Sequence, residues 1–219
     1  MREYQVVTPP AVEPLLLADA KQHLRVDTTA DDTFILALIR TCRFHLERQY
    51  DISLITQTLS LSLDNFPWWW MFRGSPNSAA WWYYDSMYYA QIELRGPVQS
   101  ITSVDYLDAS NAPQTLSSSN YTLDDTMLPA RLVPAYNTIW PVTALGVVNA
   151  VTVTFVTGFG AADTNVPDDI KAALKLLLGH LYENRDQIVT DARVAAIQMP
   201  FGVDQLMRPY GNKTGYLVA

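Results

Sequence analysis

The sequence predicts an α+β protein in which a small antiparallel β unit separates two helical parts. Three observations carry this reading. Apolar residues recur at helical spacing over 31–50 and again over 167–187, and between them the hydrophobic period falls to two in 55–63 and 149–157. Helices, then strands, then helices is the order of an α+β chain rather than of an alternating βα one.

In chain order, PLLLADAKQHLRVD places Leu17, Ala20, Lys21 and Leu24 at helical spacing before a break at Asp27 to Thr29. Thr29 to Asp32 reads as a capped start with acidic residues at the positive dipole end. Phe34, Ile35, Leu38, Ile39, Cys42 and Leu46 then form one apolar stripe, predicting a helix from about Asp31 to Tyr50. In ITQTLSLSLDNF, Ile55, Gln57, Leu59, Leu61 and Leu63 alternate with Thr and Ser, the pattern of a strand with one wet face. Further strands are predicted at 91–94, 100–107, 121–123, 130–133 and 149–157, between Gly, Pro, Asn and Asp punctuation.

Helix returns at VPDDIKAALKLLLGHLYENRDQI, with Pro167 at a first-turn position, Asp168 and Asp169 at the dipole, and Ile170, Ala173, Leu174, Leu177 and Leu181 in the stripe. Gly179 inside it implies close packing of another backbone. A last short helix spans Gly202 to Arg208 between two prolines, and the tail GNKTGYLVA is expected to fray. The division is therefore 1–53 helical, 54–160 inserted β unit and 161–219 helical.

The chain has 219 residues, 49% hydrophobic and 17% charged, enough for one large domain or two small ones. One cysteine, Cys42, excludes an internal disulfide framework and suits a reducing compartment. No apolar run has the length of a signal peptide core or a membrane span, so a cytosolic setting is expected. A net charge of −7 without a Lys/Arg block argues against gripping nucleic-acid phosphates, although an acidic wall would let a duplex slide past.

Reactive constellations are scarce. Of three histidines only His180 has a carboxylate at helical spacing, Glu183, and two ligands do not close a metal site. The pairs Asp31-Asp32 and Asp168-Asp169 are explained by helix dipoles, and Asp124-Asp125 by a turn. Gly158-Phe159-Gly160 lacks the third glycine of a dinucleotide loop and the lysine of a P-loop, and reads as a flexible connection. Cys42 lies on the apolar stripe as buried packing, with Arg43 rotated off that face. No catalytic residue, cofactor or metal is expected.

The unusual feature is Trp68 to Tyr89, where ten of 22 residues are aromatic: Trp68, Trp69, Trp70, Phe72, Trp81, Trp82, Tyr83, Tyr84, Tyr88 and Tyr89. A turn-forming run, Arg73 to Ser78, divides them, as in an extended excursion between two strands. Five half-exposed tryptophans would present about 500 Å² of apolar surface, near the limit for a soluble monomer. Three outcomes would cover it: folding back onto its own sheet, contact with another protein chain, or stacking on a ligand or glycan.

Four segments together, LADAKQHLRVD with the helix after it, RGPVQSITSVDYLDASNAPQTL ending in YTLDD, VPDDIKAALKLLLGHLYENRD, and MPFGVDQLMRPY, resemble the head-tail connector family of tailed bacteriophages. This head-completion or adaptor family includes relatives in prophages and gene-transfer particles. The likeness covers about Leu15 to Tyr210 without Trp68 to Tyr89. It implies a ring-building helical body with the β unit inserted between the second and third helices, and a structural role in the virion rather than an enzymatic one.

The subunits of such a ring sit beneath the portal, extend the DNA channel and dock the tail. The implied partners are the chain itself, in a ring matched to the twelve-fold portal, the portal protein, and a tail-proximal neck or tail-completion protein. DNA passes without sequence-specific binding, and no membrane is involved. The implied location is the virion neck, reached through the host cytoplasm during assembly. Helix Val166 to Gln187 and Phe201 to Tyr210 match ring-contacting parts, which makes Tyr182, Arg185, Phe201, Leu206 and Tyr210 interface candidates beside the aromatic residues; 186–199 would be a loop near channel or portal. The aromatic excursion is longer and richer in Trp and Tyr than is typical of the family. The competing reading is an aromatic-lined glycan-binding or adhesion module.

Overall fold

The computed structural model describes residues 4–67, 91–126, 128–184 and 201–211. It is an α+β chain with four helices and two antiparallel sheets among these residues. In order come β1 (Tyr4–Thr8), α1 (Leu17–Leu24), α2 (Asp32–Tyr50), β2 (Gln57–Leu63), β3 (Ile92–Leu94), β4 (Val98–Leu107), β5 (Pro113–Thr115), β6 (Tyr121–Asp124), β7 (Ala130–Pro134), β8 (Val151–Thr157), α3 (Asp168–Glu183) and α4 (Phe201–Met207). Two compact units result, one of 1–9 and 57–157, the other of 10–56 and 158–219.

The helical unit is built on the stripe that the sequence advertises. Ile35, Ile39, Cys42 and Leu46 of α2 are buried against Ile170, Ala173, Leu174 and Leu178 of α3, with Val203 and Met207 of α4. Ile55 belongs to this core and not to the alternating strand expected to include it, because β2 starts two residues later. Neither of the first two helices has a side-chain cap. Asp31 adopts the N-cap position of α2 without a side-chain capping bond, contrary to the capped start read from Thr29 to Asp32. Its carboxylate instead accepts a 2.6 Å hydrogen bond from the Tyr182 hydroxyl of α3. Both helices end on non-glycine residues in the left-handed region, Arg25 and Asp51.

Sequence reasoning places Arg43 off the core face, yet it is buried, because Glu13 and Glu47 enclose its guanidinium. Gly179 does not face another backbone as expected. A Cβ there would lie 3.6 Å from the His23 imidazole Nε2 of α1, at ordinary contact.

The antiparallel β unit forms two sheets among the described residues. The larger has strand order β1-β2-β8-β4-β5 and the smaller β3-β7-β6, with every pairing antiparallel. β8 is central and its period of two is complete: Val151, Val153, Phe155 and Thr157 are buried while 152, 154 and 156 are half-buried. Leu59, Leu61, Phe66, Leu94, Val104 and Leu132 complete this second core. β1 and β5 were not expected. β1 pairs with β2 from Tyr4↔Leu61 to Thr8↔Thr58, which assigns the first nine residues to the β unit and not to the first helical part.

Thr157 ends β8 fully buried and donates its hydroxyl to the Arg95 and Pro97 carbonyls, at 3.0 and 2.8 Å. The Gly158 to Gly160 connection is pinned and not flexible as expected. Thr56 N–H donates to the Gly160 carbonyl at 2.9 Å and Phe159 N–H to the Leu54 carbonyl at 3.3 Å. Gly158 has φ of +129°, and a Cβ there would stand 2.5 Å from the Ile55 backbone.

Candidate functional site

Sequence reasoning nominated two groups of contact residues. The aromatic group, Trp68, Trp69, Trp70, Phe72, Trp81, Trp82, Tyr83, Tyr84, Tyr88 and Tyr89, lies outside the described residues, as does Arg185. Phe201 opens α4, and its side chain lies outside the described set too. The remaining three are brought onto the helical unit. Tyr182 packs its ring 6.1 Å from that of Phe34 while its hydroxyl holds Asp31. Tyr210 meets the Phe159 ring edge-on at 6.0 Å, and Leu206 packs at the margin of the same core. All three are half-buried, so each keeps an outward portion while packing on the helical unit.

Among the described residues no three His, Cys, Asp or Glu side chains converge as a metal site would require. His180 is approached by the Asn184 amide at 3.4 Å. Burial pushes the Cys42 thiol up to about 12, which makes it an inert core residue. Burial alone would disfavour the Arg43 cation, yet the flanking Glu13 and Glu47 carboxylates outweigh it and raise the guanidinium pKa. Asp124 makes the turn read from the sequence: its carboxylate accepts from Thr126 and from Arg131, and these bonds hold it below the usual carboxylate range. No helix among the described residues is long and apolar enough to cross a membrane.

One surface feature was missed from the sequence. The connection between β7 and β8 exposes Tyr136, Ile139, Val142, Leu145 and Val148, every third residue. Between them Trp140, Thr143 and Ala144 are buried and anchor the loop. Trp140 stacks on Phe66 with ring centroids 4.9 Å apart and planes 6° from parallel, and Ala144 N–H donates to the Leu107 carbonyl at 3.0 Å. The available signal was PAYNTIWPVTALGVVN itself, an apolar run that follows neither a helical nor a strand period and carries the sixth tryptophan.

No family model and no curated protein matches the sequence. Solved structures do. A chain in the neck of an empty gene-transfer-agent particle, computed with C6 symmetry, superposes with a TM-score of 0.72 at 24% identity, over 99% of this chain and 98% of that one. The two share one fold. A chain in the virion of a native gene transfer agent matches at TM-score 0.68 and 23% identity, over 99% and 98% of the two chains. Another, in a native neck computed with C12 symmetry, matches at 0.67 and 22%, over 100% and 98%. Both units and their order are therefore reproduced end to end in chains from these particles.

Proposed function

We propose that this protein is a structural head-tail connector that assembles as a ring beneath the portal, extends the DNA channel and offers a docking surface to the tail. The observation that carries the proposal is the end-to-end fold match to chains of particle necks solved with C6 and C12 symmetry. A match confined to one unit would leave the other free for an unrelated task. In the helical unit α2 and α3 pack along an apolar seam, which would hold a ring-building face in one geometry.

In this role no group has to react, and the function is geometric. Tyr182, Arg185, Phe201, Leu206 and Tyr210 are proposed at subunit contacts of the helical body. The aromatic residues from Trp68 to Tyr89 are proposed as adhesive toward a neighbouring copy or the tail-proximal protein. Repetition around a ring multiplies a weak contact into a stable one. The net charge of −7 suits a conduit through which DNA must slide without sticking. The protein would be made in the host cytoplasm and reside in the virion neck.

Mixing the purified protein with portal rings and imaging in negative stain tests this. A coaxial collar on the portal is the expected result. Bare portals at saturating protein would refute the connector role.

A further inference from the structure

The outward sides of α2 and α3 carry opposite charge. On α2, Leu36, Arg40, Phe44 and Arg48 recur every fourth residue and all are exposed, Phe44 at 57% and the Arg40 side chain at 66%. Neither acidic residue of α2 joins this stripe: Glu47 is buried, and Asp32 is held by Lys21 at 2.6 Å. Glu13 approaches Arg40 at 3.7 Å but gives its shorter contact, 2.8 Å, to Arg43. The Arg43 guanidinium in turn lies 4.3 Å from the centre of the Phe44 ring. In a chain of net charge −7, this is a cationic surface with an apolar middle.

On α3, Asp168, Ala172 and Leu176 recur in the same way, with Glu183 seven residues further, and all four are exposed, Leu176 at 43%. Asp169 adds a second exposed carboxylate beside Asp168, while Lys171 and Lys175 are half-buried at the flank. α2 and α3 turn their buried stripes into one core, so the outward stripes face away from each other on two sides of the same unit. A two-fold contact of α2 with itself would gather four arginines with no carboxylate from either stripe. A head-to-tail contact instead sets Arg40 and Arg48 of one copy against Asp168 and Glu183 of the next, with Phe44 toward Leu176.

We infer that the outward stripe of α2 docks on the outward stripe of α3 in the next copy of this chain. The inference rests on the ring proposed above and names the two faces that join its subunits. Each contact is small and charge-assisted, so it weakens with salt and gains strength when the ring closes.

The test is disulfide trapping in F44C/L176C, where Cys42 stays buried, at high protein concentration with and without portal rings. Mild oxidation should give a ladder of covalent oligomers extending past the dimer, which neither F44C nor L176C forms alone. Adding R40E/R48E or D168K/E183K to the pair should abolish the ladder. An equal mixture of those two variants should restore it, because reversed and native stripes then alternate. No ladder in either condition would overturn the pairing, as would a dimer from F44C alone or a ladder indifferent to both charge reversals. Loss of portal binding in R40E/R48E without a ladder would assign the α2 stripe to the portal and overturn the inference too. A ladder without a collar on the portal would keep this pairing and refute the connector role, whereas a collar without a ladder would do the reverse. Should the cysteine pair fail to fold, sedimentation of the same charge reversals in the chain with Phe44 and Leu176 decides by the same loss and restoration.

Discussion

The guanidinium Nη1 of Arg43 lies 3.1 Å from the carboxylate Oε2 of Glu47, one turn along α2, with both side chains almost wholly out of water. The other Glu47 oxygen accepts the Leu54 backbone N–H at 2.9 Å, and Arg43 Nε donates to Glu13 at 2.8 Å. One carboxylate therefore satisfies a buried cation and a buried amide together. Glu47→Ala strands the amide and leaves the cation to Glu13 alone, and a loss of about 1–3 kcal/mol is expected. Thermal denaturation checks it, with R43M/E47A recovering part of the loss.

Two glycines should respond oppositely to a methyl group. At Gly179 the added Cβ meets only the His23 ring, at contact distance, so Gly179→Ala should stabilise by up to about 1 kcal/mol through helix propensity. Gly158→Ala meets the Ile55 backbone at 2.5 Å from a positive φ, and should destabilise strongly. Urea midpoints of the two variants, moving in opposite directions, are the check.

Thr157→Val keeps the shape of the β8 terminus and deletes the one hydroxyl that serves two carbonyls. About 1–3 kcal/mol should be lost, since buried acceptors are left without their donor. Thr152→Val, half-buried on the opposite face of the same strand, should stay within about 0.5 kcal/mol. Denaturation of the pair separates the hydroxyl from strand propensity.

Asp108 closes the turn into β5. The Ser110 hydroxyl and the Ala112 N–H, with the Gln114 amide and Ser110 N–H, lower its pKa to about 2. Its folded value is below that of an unfolded aspartate at about 3.9, so on acidification the unfolded chain takes up the proton first. The contribution of this turn is whole above about pH 4 and disappears as pH falls through about 2. Carboxyl NMR of Asp108 should give a midpoint near 2, moving up toward the ordinary value in Ser110→Ala.

Much of the fold is legible because it is periodic. The stripe of α2 and α3 and the alternation of β8 depend on neighbours three, four or two residues away, which a sequence displays. What was hidden depends on distant partners. β1 is a strand only because Leu59 and Leu61 lie more than fifty residues on, and Arg43 is buried only because Glu13 is thirty residues back. The division into two sheets escapes notice for the same reason, since nothing local says that Ile92 will pair with Leu132 and not with β2.

The aromatic candidates rest on composition alone and lie outside the described residues. Clustered tryptophan announces Trp68 to Tyr89, whereas the β7–β8 loop spaces its exposed side chains between buried Trp140, Thr143 and Ala144 and so matches no template. Tyr182 and Tyr210 show the converse difficulty: their hydroxyls are bound to Asp31 and Asp169 across the helical unit, a structural duty that spacing does not disclose.

The most direct measurement is a cryo-electron map of the neck of the particle that incorporates this chain, refined about its symmetry axis. A closed ring of this fold coaxial with the portal, with the DNA path through its centre, is the expected result. A neck complete without it, or density for it only away from the axis, would rule out the connector role.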